Sequence, residues 1–155
     1  MKRRLAKAIL TLGLLCIPLT ASATGNLDCA IKDKNLDFVF ESLFSYSLNT
    51  PLFQSKASFE ASDPALHPAL NKLDAEKLRL IQQWVEGKDL RLQFYAETEG
   101  DNVPFAAVKL TIETIVGEDE INYSGSYELE ITPAVVPDKE TQVIKLQGPA
   151  SCSAG

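Results

Sequence analysis

Residues 36–48 read Leu36-Asp37-Phe38-Val39-Phe40-Glu41-Ser42-Leu43-Phe44-Ser45-Tyr46-Ser47-Leu48. The even positions are apolar or aromatic except Ser42, and the odd positions are mostly polar. Successive side chains of an extended strand point to opposite faces, so this period of two predicts a long half-buried β-strand. Asn49-Thr50-Pro51 supplies a turn, because Pro fixes its own φ and Asn tolerates unusual backbone angles. A second strand follows over 52–60, with Phe53, Ala57 and Phe59 on one face and Gln54, Lys56, Ser58 and Glu60 on the other.

Downstream the alternation breaks. Asp63-Pro64 and His67-Pro68 disfavour helix before each ring and predict a loop. Leu78, Ile81 and Val85 then recur at i, i+3 and i+7 beside Trp84. With Asn71 or Asp74 as cap and Gly87 at a left-handed C-terminal position, they predict a helix over Asp74 to Glu86. Four further strands follow: Leu90 to Glu97, Ala106 to Thr114, Ile121 to Ile131, and Thr141 to Gln147 ending at Gly148-Pro149. Turns at Glu99–Asn102 and Gly117–Glu120 and a connection bracketed by Pro133 and Pro137 separate them. Gly125 interrupts an apolar face and predicts a bulge or a close backbone approach. The expected order is β-β-α-β-β-β-β. Short connections between the later strands imply an antiparallel meander, and such long one-faced strands curl into a barrel or pair as a sandwich. The expected fold is mainly β, an antiparallel β-barrel or β-sandwich with one helix.

The first 23 residues read as an export signal. Lys2, Arg3, Arg4 and Lys7 form a basic region, an apolar run of 12 residues follows from Ala8 to Leu19, and Ala21-Ser22-Ala23 suits signal peptidase. A spanning helix needs about 20 apolar residues, which argues against an uncleaved anchor. Lipid attachment at Cys16 wants a small preceding residue, and Leu15 stands there. The mature chain is expected to start at Thr24, to form a single domain over 24–155 without stable membrane insertion, and to reside in the periplasm or outside the cell. Cys29 and Cys152 then remain. Two cysteines in an exported chain normally pair, and their wide spacing is unlike a redox C-x-x-C, so a structural disulfide is expected between the two ends of the domain. In the chain-entropy model a loop that long stabilises by roughly 4–5 kcal/mol as an upper figure.

The chain of 155 residues carries 15 basic and 21 acidic side chains. Removing the four basic residues of the signal leaves 11 against 21, a net charge of −10. That balance argues against nucleic acid, whose phosphates require clustered Lys and Arg. It favours either simple solubility or a cationic partner. The turn Glu118-Asp119-Glu120, three consecutive acids, is the candidate contact.

Other chemistries find little support. His67 is the only histidine and has no nucleophile motif around it. Zinc needs clustered His or Cys ligands, and Met1 is the only methionine, so thioether ligands leave with the signal. Glu97, Glu99 and Asp101, or Glu118 to Glu120, offer carboxylates for calcium but do not match the calcium-loop motif. A glycosidase carboxylate pair would need exposed aromatics, which here fall on the apolar faces. No phosphate-binding glycine motif occurs. No cofactor, metal or catalytic residue is expected.

The expected function is that of a non-enzymatic, exported interaction module with an acidic surface that engages a cationic protein. One alternative is a carrier of a small apolar ligand, held in a barrel lined by Phe38, Phe40, Phe44, Tyr46, Phe53 and Phe59. The other is a hydrolase using His67 or a carboxylate pair.

Overall fold

The computed structural model describes residues 24–64, 66–73, 76–98, 104–134 and 142–155. Residues 1–23, where a signal is expected, together with Asp74, Glu99, Asp101 and residues 135–141, lie outside them. Eight strands make up the described fold: β1 (Thr24–Lys32), β2 (Leu36–Ser45), β3 (Phe53–Ala61), β4 (Arg79–Glu86), β5 (Asp89–Thr98), β6 (Ala106–Val116), β7 (Asn122–Pro133) and β8 (Ile144–Ala154). They form one curled antiparallel sheet, a half-barrel, in the order β3-β2-β1-β8-β7-β6-β5-β4.

The predicted helix is corrected: residues 79–86 are strand β4, and the described residues contain only a single 3₁₀ turn, Pro68–Leu70. The reason lies in the β4–β5 register. Leu80 pairs with Phe94 and Gln82 with Gln93, so Ile81 is an extra residue bulged out of the ladder. A bulge shifts the parity of a strand by one. Here it spaces the apolar residues Leu78, Ile81 and Val85 as one helical face would. Gly87, with φ +58°, occupies the first central position of the two-residue β4–β5 hairpin turn, where glycine is favoured.

Two strands exceed the expected six. Besides β4, β1 precedes the first expected strand, with Leu27, Cys29 and Ile31 buried in alternation. The last strand runs on through Gly148-Pro149 to Ala154. β2 stops at Ser45 because Tyr46 turns to φ 67°. At Gly125 the β6–β7 register continues unshifted, so the glycine marks a close approach. A Cβ built there would lie 2.0 Å from the Glu113 carbonyl oxygen.

The disulfide follows from the ladder that holds the middle of the sheet. Asn26 and Gly155 exchange both backbone bonds, at 2.8 and 3.1 Å. Bonded and non-bonded pairs alternate in antiparallel sheets, so the Cys29–Cys152 pair, three positions on, is non-bonded and has its α-carbons close together. The sulfurs are joined at 2.07 Å.

The same alternation explains where this ladder ends. After Ala30–Ser151, the next bonded pair would be Lys32–Pro149, and proline has no N–H to donate. Tyr127 bridges the gap from β7. Its ring lies over Gly148, where a Cβ would meet it at 2.8 Å, and its hydroxyl donates to Asp33 Oδ2 at 2.8 Å. Asp33 also accepts the Asn35 and Leu36 amides at 2.7 and 2.9 Å, closing the β1–β2 turn. Although burial pushes the Asp33 carboxyl up, these three bonds hold it below its ordinary value. Burial and the Asp33 carboxylate push the Tyr127 phenol well above its usual range.

Side chains pack the interior, and an open apolar recess of about 390 Å³ lies between β3 and β4 beside Phe40, Ala57, Leu78 and Leu80. Phe94 of β5 meets Phe38 and Phe40 of β2 edge-on, with centroids 5.1 and 4.8 Å apart. Leu27, Leu92, Leu110 and Leu129 are among the fully buried neighbours. The core extends under the 62–78 connection through Leu66, Leu70 and Leu73.

Candidate functional site

The antiparallel order places the β4–β5 and β6–β7 turns at one end of the sheet and the β5–β6 connection at the other. The expected acidic turn is therefore separate from the Glu97 side, as successive hairpin turns must be. Asp119 builds the turn itself. Its Oδ1 accepts the Ile121 and Asn122 amides at 3.1 and 2.9 Å, and its Oδ2 accepts the Asn122 side chain at 2.6 Å. The Asn122 side chain, then these amides, hold its carboxyl below the ordinary value. Glu120 completes the turn with φ 59°. The carboxylates of Glu118 and Glu120 are left facing solvent.

The neighbouring β4–β5 turn adds to this end. Val116 donates its amide to the Lys88 carbonyl at 2.9 Å, which holds the two turns side by side. Glu86 and Asp89, paired across that hairpin and exposed, join Glu118 and Glu120. Lys88 is the basic residue among them. Among the described residues, the ion pairs fall elsewhere: Lys32–Asp37, Arg91–Glu113, Lys109–Glu130 and Lys145–Glu130. Glu86 and Asp89 escaped the sequence reading because a helix was expected to end there. The two-residue Gly87-Lys88 hairpin signal would have exposed them.

The outer face of β5 to β8 carries a shallow polar groove of about 530 Å³, lined by Arg91, Gln93, Lys109, Thr111, Glu128 and Gln147 among others. A second recess of about 460 Å³ shares Arg91, Glu113 and Ser126 with it and is bordered by Trp84. Arg91 Nε lies 3.2 Å from Glu113 Oε1, and Gln93 Nε2 donates to Thr111 Oγ1 at 3.2 Å. Beside the groove, Glu130 sits between Lys109 and Lys145, whose bonds lower its carboxyl to about 2.

The other candidate residues are dispersed. Cys29 and Cys152 are buried in their disulfide. His67 borders an apolar recess of about 200 Å³ with Leu70, Phe105 and Ile131. Glu97 accepts the Tyr95 hydroxyl at 2.6 Å. Among the described residues, no three His, Cys, Asp or Glu side chains are placed to hold a metal ion. Of the six aromatics assigned to an interior wall, Phe38, Phe40, Phe44 and Phe59 are in the core. Tyr46 is 74% exposed and Phe53 38%.

No protein-family model, characterised protein or solved structure matches this chain.

Proposed function

We propose that the protein is an exported, non-enzymatic interaction module that engages a cationic protein through the end of the sheet bearing Glu86, Asp89, Glu118 and Glu120. The observation that supports this reading is the backbone bond between two neighbouring hairpin turns, which brings four exposed carboxylates and Lys88 to one end of the sheet. Rigid turns present charge without a large ordering cost, and exposed charges of one sign steer an oppositely charged partner. The net −10 of residues 24–155 adds a long-range field of the same sign. A carrier would use the apolar recess of about 390 Å³ beside Phe40, Ala57, Leu78 and Leu80, which is open to solvent rather than enclosed; the packing of Phe94 against Phe38 and Phe40 supports the interaction module over that second reading.

The test uses purified protein as bait in its own secretory or envelope fraction across a salt series. The expected result is a basic partner retained at low salt and released as salt rises, since screening acts beyond about 8 Å at physiological ionic strength. The double reversal Glu118→Lys with Glu120→Lys, which spares the turn-building Asp119, should abolish recovery with little change in stability. Salt-independent recovery, or equal recovery by the reversed variant, overturns the proposal.

A further inference from the structure

We infer that the groove across β5 to β8 binds a neutral oligosaccharide, with the adjoining Trp84 recess reaching as far as Asp89 at the border of the acidic end. Charge points to the first part of that assignment. Residues 24–155 carry a net charge of −10, yet the lining of this groove is balanced: Arg91 and Lys109 stand against Glu113 and Glu128. Arg91 is already paired with Glu113, and Lys109 with Glu130. Such a surface neither attracts nor repels a strong charge, so it discriminates by hydrogen bonding rather than by steering.

The chemistry of the lining points to the second part. Gln147 on β8 and Gln93 on β5, whose amide also donates to the Thr111 hydroxyl, line the groove with amide groups of the kind that pair with sugar hydroxyls. Trp84, 42% exposed, stands at the rim of the adjoining recess. Its large flat ring, with an apolar face and one polar N–H, is suited to stack on the apolar face of a sugar. From Gln93 on β5 to Gln147 on β8 the groove crosses three interstrand steps, about 14 Å along the sheet, and the Trp84 recess adjoins it through Arg91, Glu113 and Ser126. A shallow groove with such an adjoining recess fits a short chain of rings lying on the strands.

Trp84 is the single tryptophan of the chain, so intrinsic fluorescence reads this site directly. The experiment titrates the oxidised protein with maltotetraose, cellotetraose and chitotetraose, following Trp84 emission and, in parallel, calorimetric heat. The expected result is a saturable change with at least one of the three. The Trp84→Ala variant, with its fold checked by circular dichroism, should bind that sugar about tenfold more weakly or worse by calorimetry. The Gln93→Ala, Gln147→Ala pair keeps the reporter and should also weaken binding. Reversal of Glu118 and Glu120 should leave it unchanged, which keeps this result distinct from that of the acidic end. No saturable response to any of the three sugars overturns the inference. So does binding that survives both groove variants, or a response confined to a sulfated tetrasaccharide.

Discussion

At the middle of the sheet, β1 and β8 are held by a backbone ladder, by the Cys29–Cys152 bond and by the Tyr127–Asp33 hydrogen bond where Pro149 ends the ladder. At its two edges, β3 and β4 are held from one side only, and each carries a bulge. In β3 the bulge sets Gln54 and Ser55 against Ser42, with Gln54 at φ 53°. The Ser42 hydroxyl, buried on an otherwise apolar face, is satisfied by the Phe53 carbonyl at 3.0 Å and the Ser55 hydroxyl at 2.7 Å. Gln83 of β4 reaches across to the carbonyls of Leu48 and Thr50, and Lys72 forms a lone bridge to Glu60 of β3. The difference teaches how this fold avoids sticky edges. Its edge backbone lies in bulged strands stitched by side chains and loops, which discourages edge-to-edge pairing with another molecule even though Phe53, Ile81 and Trp84 are exposed there. Its covalent and ladder strength is concentrated where β1 and β8 meet.

The most severe way to break that contrast is to remove the bond in the middle. Replacing both Cys29 and Cys152 by alanine should lower unfolding free energy by up to about 4–5 kcal/mol, read as a shift in urea midpoint. Amide exchange in β1 and β8 should then rise to the rates of β3 and β4. Intact-mass analysis of the wild type under denaturing alkylation should find no free thiol.

A comparison within the core sharpens the contrast. Phe94→Ala removes the ring that meets both Phe38 and Phe40 and should cost about 3–5 kcal/mol. Phe53→Ala, at the half-exposed start of an edge strand, should cost about 1 kcal/mol or less. Equal losses at the two sites would show that the edges share the core's packing after all.

A milder change than the loss of the core ring tests the Tyr127 bridge. Tyr127→Phe should cost about 1–2 kcal/mol at neutral pH by leaving the Asp33 carboxylate short of a donor. The folded Asp33 carboxyl lies below its ordinary 3.8, so its contribution is present above that pH and is lost as pH falls through the folded value. The Tyr127 phenol is raised above 10, so its contribution is present below pH 10 and is lost on strong alkalinisation. Denaturant midpoints between pH 2 and 6 should therefore fall less steeply for Tyr127→Phe than for wild type.

The period-two faces of β2, β5, β6 and β7 were legible because each buries one side against the core. The disulfide was legible from the count of cysteines and the expectation of export. The alternation of Leu27, Cys29 and Ile31 is equally plain in the sequence, and β1 was missed only because the reading began beyond it. The nature of β4 was hidden by Ile81, since a bulge is set by the partner strand and is indistinguishable from helical spacing in a single segment. β8 was cut short because Pro149 reads as a stop. In the fold its missing N–H faces the side where the β1 ladder has ended, and its other neighbour, Ser126, is unaffected. At the acidic end, Glu118 and Glu120 were found as charges. The structural task of Asp119, and the joining of Glu86 and Asp89 to the cluster, depend on one turn docking against another.

The placement of β1 beside β8 has a consequence for how the chain finds its fold. Read from the seam, the sheet runs β4-β5-β6-β7-β8-β1-β2-β3, which is the order of a plain meander that has been circularly permuted. Six of its seven ladders join strands adjacent in sequence. Only β1–β8 is non-local, and its two cysteines are separated by 123 residues. Local hairpins close cheaply, and distant pairing carries the loop-closure entropy that slows folding. Two separate meanders, β1 to β3 and β4 to β8, can thus form from neighbouring residues before they dock. The Cys29–Cys152 bond lies on the single ladder that requires both, so its oxidation timestamps the completion of the fold.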